Sequence, residues 1–149
     1  MTDENYKKPG WLTNHVFNPA VALATRLGLS VWGSRVLQVQ GRTTGLIRET
    51  PVNVLTHEGQ RYLVAPRGIT QWVRNLRASG EGALRLGRHS ESFHAEELAD
   101  DAKPEILRAY LRRWKMEVGV VFDGVDANSS DEELRRVAKD HPVFRVEAK

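Results

Sequence analysis

The chain has 149 residues, 40% hydrophobic and 28% charged, with a net charge of +3 and no cysteine. That composition describes one globular domain large enough to bury a core unaided, and it excludes disulfides, thiolate metal centres and cysteine nucleophiles. The opening MTDENYKKPGW is polar and lacks a signal peptide's apolar stretch; no apolar run approaches the roughly 20 residues of a membrane span, so a cytoplasmic protein is expected.

Pro19 to Leu29, PAVALATRLGL, reads as a short helix that Gly28 helps to end. Its apolar positions run nearly all round, which suits a core element. Peripheral contact with a membrane surface is the second use such a helix allows, although Arg26 alone supplies a basic face. RVLQVQ then alternates apolar and polar at period two, as a half-buried strand does. GRTTG follows as a turn, and IRETPVNVLTH is β-rich, with Pro51 marking an edge, a strand start or a bulge. Glu58-Gly59 turns tightly into QRYLVAP, which completes a hairpin.

GITQWVRNLRASG changes to a helical period. Thr70 can cap it, Trp72, Val73 and Leu76 form its apolar stripe, and Gly80 stops it. GALRLG and ESFHAEEL form a second strand pair. From Pro104 to about Glu117 a strongly amphipathic helix is expected, with Ile106, Leu107, Tyr110, Leu111 and Trp114 on one side. After DGVDANS, Ser130 and Glu133 make a capping box that opens DEELRRVAKD; His141-Pro142 ends that helix, and PVFRVEA closes the chain as a strand.

About six short strands with interspersed helices, alternating too irregularly for βαβ units and including two hairpins, predict an α+β, mainly β fold. The expected architecture is a largely antiparallel sheet closed into a small barrel, with helices packed outside. No linker divides the chain, so residues 1–149 form one domain: an N-terminal tail and helix (1–35), a barrel segment (36–98), and a helical region with the closing strand (103–149).

Charge is unevenly spread. Between Arg35 and Arg88 stand nine arginines (35, 42, 48, 61, 67, 74, 77, 85, 88) and no lysine, opposed only by Glu49, Glu58 and Glu81. Guanidinium suits planar, bidentate recognition of phosphate or carboxylate, so this segment suggests an anionic ligand. Nucleic acid is not the expected partner, because only Tyr62 and Trp72 are available to stack among the basic residues.

Familiar catalytic signatures are missing. No G-x-S-x-G, P-loop, G-x-G-x-x-G or H-E-x-x-H occurs. The histidines at 15, 57, 89, 94 and 141 are scattered, and His89 and His94 would face opposite sides of a strand, so no metal site is read. Asp100 and Asp101 precede a helix, and Asp131 to Glu133 fill a helix's first turn; capping and the helix dipole explain both groups. No catalytic acid, base or nucleophile is assigned. An enzyme of this kind works through a bound cofactor, and hydride transfer is the natural case.

Three stretches in order, GRTTGLIRETPVNVL, YLVAPRG and WVRNLRASGEGALRLG, resemble the deazaflavin-dependent nitroreductase family. The resemblance covers Val36 to Phe93, with a weaker match at HPVFRVEA. It implies a split β-barrel that binds coenzyme F-420, an 8-hydroxy-5-deazaflavin, and uses its reduced form to deliver hydride to quinones, nitroaromatics and other electron-poor small molecules such as activated alkenes. That coenzyme carries a phosphodiester and an oligoglutamate tail, in keeping with the arginines. Carried over by position, Arg42, Thr43, Thr44 and Gly45 are the family's anion-holding turn and Arg48 the basic residue beyond it. Pro51 matches a proline whose backbone lies near the deazaflavin. Ala65, Pro66, Arg67 and Gly68 match the strand end and basic loop along the coenzyme, and Trp72 and Asn75 match positions on the following helix.

Departures fall mainly on the substrate side. Thr43 stands where family members commonly have lysine, and the stretch from Arg67 to Trp72 is shorter than in nitroimidazole-activating members. The substrate tyrosines near their C-terminus have no counterpart, since Tyr110 is the only tyrosine after Tyr62. FMN is the alternative flavin, and a non-catalytic split-barrel module holding a flavin-like, haem or lipid ligand is the rival function. Monomer and homodimer are both open.

Overall fold

The computed structural model describes residues 34–118 and 124–149, and side chains from 115 to 118 are not part of that description. The expected helix from Pro19 to Leu29, and with it the membrane contact, lies outside the described residues.

Six strands appear: β1 (Ser34–Gln40), β2 (Ile47–His57), β3 (Gln60–Val64), β4 (Glu81–Leu86), β5 (His89–Glu97) and β6 (Val143–Ala148). All pairings are antiparallel, and the order β1-β2-β3-β6-β5-β4 closes on itself through Val36↔Arg85, Leu37↔Leu84 and Gln38↔Ala83. Both expected hairpins are present. In the β2–β3 turn Glu58 and Gly59 have φ of 51° and 78°, the left-handed pair that a two-residue hairpin loop requires. Among the described residues three α-helices accompany the barrel: α1 (Gln71–Ser79), α2 (Lys103–Val118) and α3 (Asp131–Ala138).

Period-two alternation sorts the strand residues into two cores. Leu37, Val39, Val52, Leu63, Leu84, Phe93, Phe144 and Val146 point inward, and Val73 and Leu76 of α1 plug the barrel among them. Leu55, Val64 and Val143 point outward and meet Ile106, Leu107, Tyr110, Leu111 and Trp114 of α2, with Leu134 and Val137 of α3 behind. Each such aliphatic side chain contributes about 1.5–3 kcal/mol on burial, which is why the apolar stripe of α2 settles outside the barrel wall. The last turns of α2 are kinked at Trp114, whose φ of −128° is not helical.

Capping is as the residues dictate, with one exception. Ser130 Oγ accepts from the Glu133 N–H at 3.1 Å, while Glu133 Oε1 accepts from the Ser130 N–H at 3.0 Å. Lys103, at 2% exposed, donates to Ala138 O and pairs with Asp100, each at 2.8 Å, so it links the start of α2 to the carboxyl end of α3. Thr70 takes the N-cap position of α1, but its side chain makes no capping bond. No helix among the described residues is long and apolar enough to cross a membrane.

The barrel has one opening that matters for the site. Residues 47–53 of β2 pair with β1 alone, and pairing with β3 begins only at Val54↔Leu63. Pro51 therefore lies inside a strand but on a stretch with one open side, where a residue lacking an N–H is tolerated.

Candidate functional site

The turn between β1 and β2 is built around Gly45, whose φ of 75° is the left-handed conformation that glycine adopts without strain. Gly45 N–H donates to Gly41 O at 2.9 Å, Gly41 N–H to Leu46 O at 2.7 Å, and Leu46 N–H to Thr44 Oγ1 at 3.2 Å. Thr44 thus holds the turn from within. Helix α1 holds it from outside: Asn75 Oδ1 accepts from the Arg42 backbone N–H at 3.1 Å and from Arg42 Nη1 at 2.8 Å, and Gln71 Oε1 accepts from the same Nη1 at 3.0 Å. Those acceptors are neutral, so they orient the Arg42 guanidinium without cancelling its charge.

Around this turn runs a cleft of about 400 Å³ whose walls include Arg42, Thr43, Thr44, Arg48, Trp72 and Asn75. Its outer continuation, beside Gly45, is lined by the same turn and the end of α1. Among the described residues one carboxylate lines the main cleft, and it is tied back: Glu49 Oε2 accepts from Gln38 Nε2 at 2.9 Å and lies 3.8 Å from Arg85. Arg48 has no hydrogen-bond or ion-pair partner among the described residues and stays exposed.

A second cleft of about 230 Å³ continues from the first, sharing Thr50 and Trp72. It lies along the open side of β2. Pro51, Val52 and Asn53 form one wall, Ala65 to Gly68 with Thr70 another, and Tyr110 of α2 contributes from the barrel's outer layer. The loop wall is pinned twice to the start of β6, because Ala65 N–H donates to Pro142 O at 2.9 Å and the buried His141 Nδ1–H donates to Ala65 O at 3.0 Å. Trp72 stands between the two clefts and packs against Phe144 with ring centroids 6.0 Å apart.

All twelve residues singled out by position in the sequence therefore line one connected groove or its outer continuation. The nine arginines do not act alike. Arg61 pairs with Glu91, Arg77 donates twice to Glu97, and Arg85 binds Gly87 O beside Glu49. The Glu97 carboxylate holds the Arg77 guanidinium further into its charged range. These three serve the barrel surface, whereas Arg42, Arg48 and Arg67 line the clefts.

Sequence reasoning passed over Asn53 and the site role of Thr70 and Tyr110. The available signal was Asn53 itself, a lone carboxamide among Pro51, Val52, Val54 and Leu55 in the middle of β2. The only grouping of metal-type side chains among the described residues, His57, Glu58 and Glu105, lines neither cleft, and His57 Nε2 is paired with Glu105 at 2.9 Å. His89 and His94 are exposed on β5.

A closed antiparallel six-stranded barrel with helices outside, opened along β2 into a groove, defines a split-barrel protein. The fold resembles that of an F-420H(2)-dependent reductase (FDR-A), with a TM-score of 0.53 at 17% identity over 77% of this chain and 94% of that one. It also resembles a protein described as a domain-swapped dimer, with a TM-score of 0.52 at 17% identity over 77% of this chain and 80% of that one. A Clostridium acetobutylicum protein of the pyridoxinephosphate oxidase family, related to a general stress protein of B. subtilis, gives a TM-score of 0.51 at 14% identity over 78% of this chain and 75% of that one. No curated protein matches the sequence. Residues 22–126 match the family described as F-420H(2)-dependent quinone reductase, and the chain belongs to that family. It is accordingly a reductase dependent on the reduced deazaflavin coenzyme.

Proposed function

We propose that this enzyme reduces an electron-poor small molecule, a quinone, nitroaromatic or activated alkene, with the coenzyme lying along the groove, its anionic tail at the arginine end and its ring in the smaller cleft. The observation that carries the reading is the continuity of the groove. An exposed guanidinium set at one end, with the nearby carboxylate tied back, passes at Trp72 into a mainly apolar slot. That donor set fits a polyanion joined to a flat, uncharged ring.

Arg42, Thr43 and Arg48 would hold the phosphodiester and glutamates, each charge-assisted bond contributing about 1.5–3 kcal/mol. Gly45 and Thr44 keep the turn in shape. Pro51, Ala65, Pro66, Gly68 and Trp72 would wall the ring and exclude water from one of its faces, and Arg67 lines the same cleft. When bound, the reduced coenzyme supplies the hydride. Holding donor and acceptor in contact is the protein's main contribution, and orientation of this kind is worth several kcal/mol. The proton that completes reduction is drawn from water, since among the described residues neither cleft presents a histidine or an unpaired carboxylate.

The test is reoxidation of the reduced coenzyme by menadione, followed optically with the purified full chain. Saturable, protein-dependent reoxidation supports the reading. Tight coenzyme binding with no turnover across quinone, nitroaromatic and enone acceptors would overturn it.

A further inference from the structure

Two polar side chains line the smaller cleft with no side-chain hydrogen bond to another described residue. Asn53 is 5% exposed, and its carboxamide has no hydrogen bond among the described residues. Thr70 is 8% exposed, and its Oγ1 likewise has no partner, having declined the capping bond its position offers. Both line the same cavity. A buried hydroxyl is almost always paired, and leaving Thr70 Oγ1 without a partner is destabilising. Asn53, flanked on its face by Pro51 and Leu55, brings a carboxamide to the wall of that cavity.

We infer that Asn53 and Thr70 recognise the imide edge of the coenzyme's ring, the C=O, N–H, C=O sequence of its pyrimidinedione. This rests on the reading above that the ring occupies the smaller cleft. A carboxamide presents a donor and an acceptor side by side, and the imide presents the complementary acceptor and donor, so Asn53 makes a two-bond contact. The Thr70 hydroxyl serves a remaining carbonyl. A phosphodiester would leave Asn53 Oδ1 unpaired, because it offers only acceptors at neutral pH. Thr70 also opens α1, whose first turn carries no acidic residue, so the positive end of the helix favours electron density on that edge. Asn53 and Thr70 are thus ring-selecting residues, distinct from the arginines that select the tail.

The experiment is equilibrium fluorescence titration of the full chain and its Asn53→Leu and Thr70→Val variants. The probes are the intact coenzyme, the deazaflavin riboside lacking phosphate and glutamates, and the N3-methyl riboside. Asn53→Leu is expected to weaken riboside binding about tenfold and Thr70→Val about threefold, the loss of one to two neutral hydrogen bonds. N3-methylation is expected to weaken wild-type binding about tenfold but to leave Asn53→Leu binding within about twofold. The melting temperature of Asn53→Leu should equal or exceed that of the wild type. Equal riboside affinity in wild type and Asn53→Leu would overturn the inference while the coenzyme reading stood, and so would an equal methylation penalty in both. A lower melting temperature with uniform loss of all probes assigns Asn53 a structural role and also overturns it. If the wild type binds FMN instead of the deazaflavin, the same series on riboflavin decides the imide contact, and only the coenzyme reading fails. If no ring binds, both fail.

Discussion

The two ends of the groove are built by opposite means. The cleft at the first end combines the turn residues Arg42, Thr43, Thr44 and Arg48, exposed and bearing charge and hydroxyl, with Leu37 and Val39 of β1 and Gln71, Trp72 and Asn75 of α1. The smaller cleft is assembled from three distant stretches, 50–53, 64–72 and Tyr110, and is mostly apolar with two buried polar side chains. On the proposed reading, affinity at the first end should be mainly electrostatic and screened by salt, and affinity at the second should come mainly from fit and desolvation, with Arg67 the one cation among its described lining residues. Trp72 is the wall they share.

That sharing makes Trp72→Ala the most damaging change expected. Loss of the ring from beside Phe144 should cost about 3 kcal/mol of stability and weaken the intact coenzyme and the ring-only riboside together. Urea unfolding and parallel titrations measure both. A variant of unchanged affinity for the riboside would separate Trp72 from the apolar end.

Arg48→Ala tests the charged end alone. The intact coenzyme should bind about 10–100-fold more weakly, since 1.4 kcal/mol is about a factor of ten, while the riboside changes by less than about threefold. Raising the salt from low to high concentration should reproduce that pattern in the wild type by screening the exposed guanidinium. Equal losses for both ligands would erase the division between the ends.

Gly45→Ala acts on the same end through the backbone. Forcing a side chain onto a residue at φ 75° should cost about 1–2 kcal/mol and loosen only the intact coenzyme. Thermal melts with the two titrations detect this, and an undisturbed turn would show as wild-type values in all three.

Away from both clefts the effects should be small. The Ser130 backbone N–H, then its side chain, holds the Glu133 carboxyl below the usual carboxylate range. Its folded value is depressed, so the capping contribution is full above the ordinary glutamate range and is lost as pH falls through the lowered value. The melting-temperature gap between wild type and Glu133→Ala should therefore be widest near neutrality and close in acid; a gap independent of pH would contradict the cap. Replacing His57, His89 or His94 by alanine should leave kcat within about twofold, because none lines a cleft. A thousandfold loss in any of them, with coenzyme affinity intact, would reveal a dedicated proton donor.

The same contrast explains what the sequence made legible. Strand alternation, the β2–β3 turn, the stripe of α2 and the Ser130–Glu133 box are local signals, and the barrel follows from them. The turn at the arginine end was equally readable, because Gly41 to Arg48 are neighbours in the chain, although its cleft is completed by Gln71, Trp72 and Asn75 of α1. Asn53 and Tyr110 were not, since the cavity they share exists only where β2 parts from β3 and α2 crosses the wall. Arg61, Arg77 and Arg85 show the limit of counting charge: their carboxylates come from other strands, and composition alone does not distinguish them from Arg48.

Hydrogen exchange of the full chain, with and without saturating coenzyme, tests the central claim most directly. A single ligand spanning both ends should protect amides in 41–50 and in 65–76 at the same coenzyme concentration, leaving the β4–β5 hairpin and α3 unchanged. Protection confined to one of those stretches, or appearing at two different concentrations, would contradict a coenzyme laid along the whole groove.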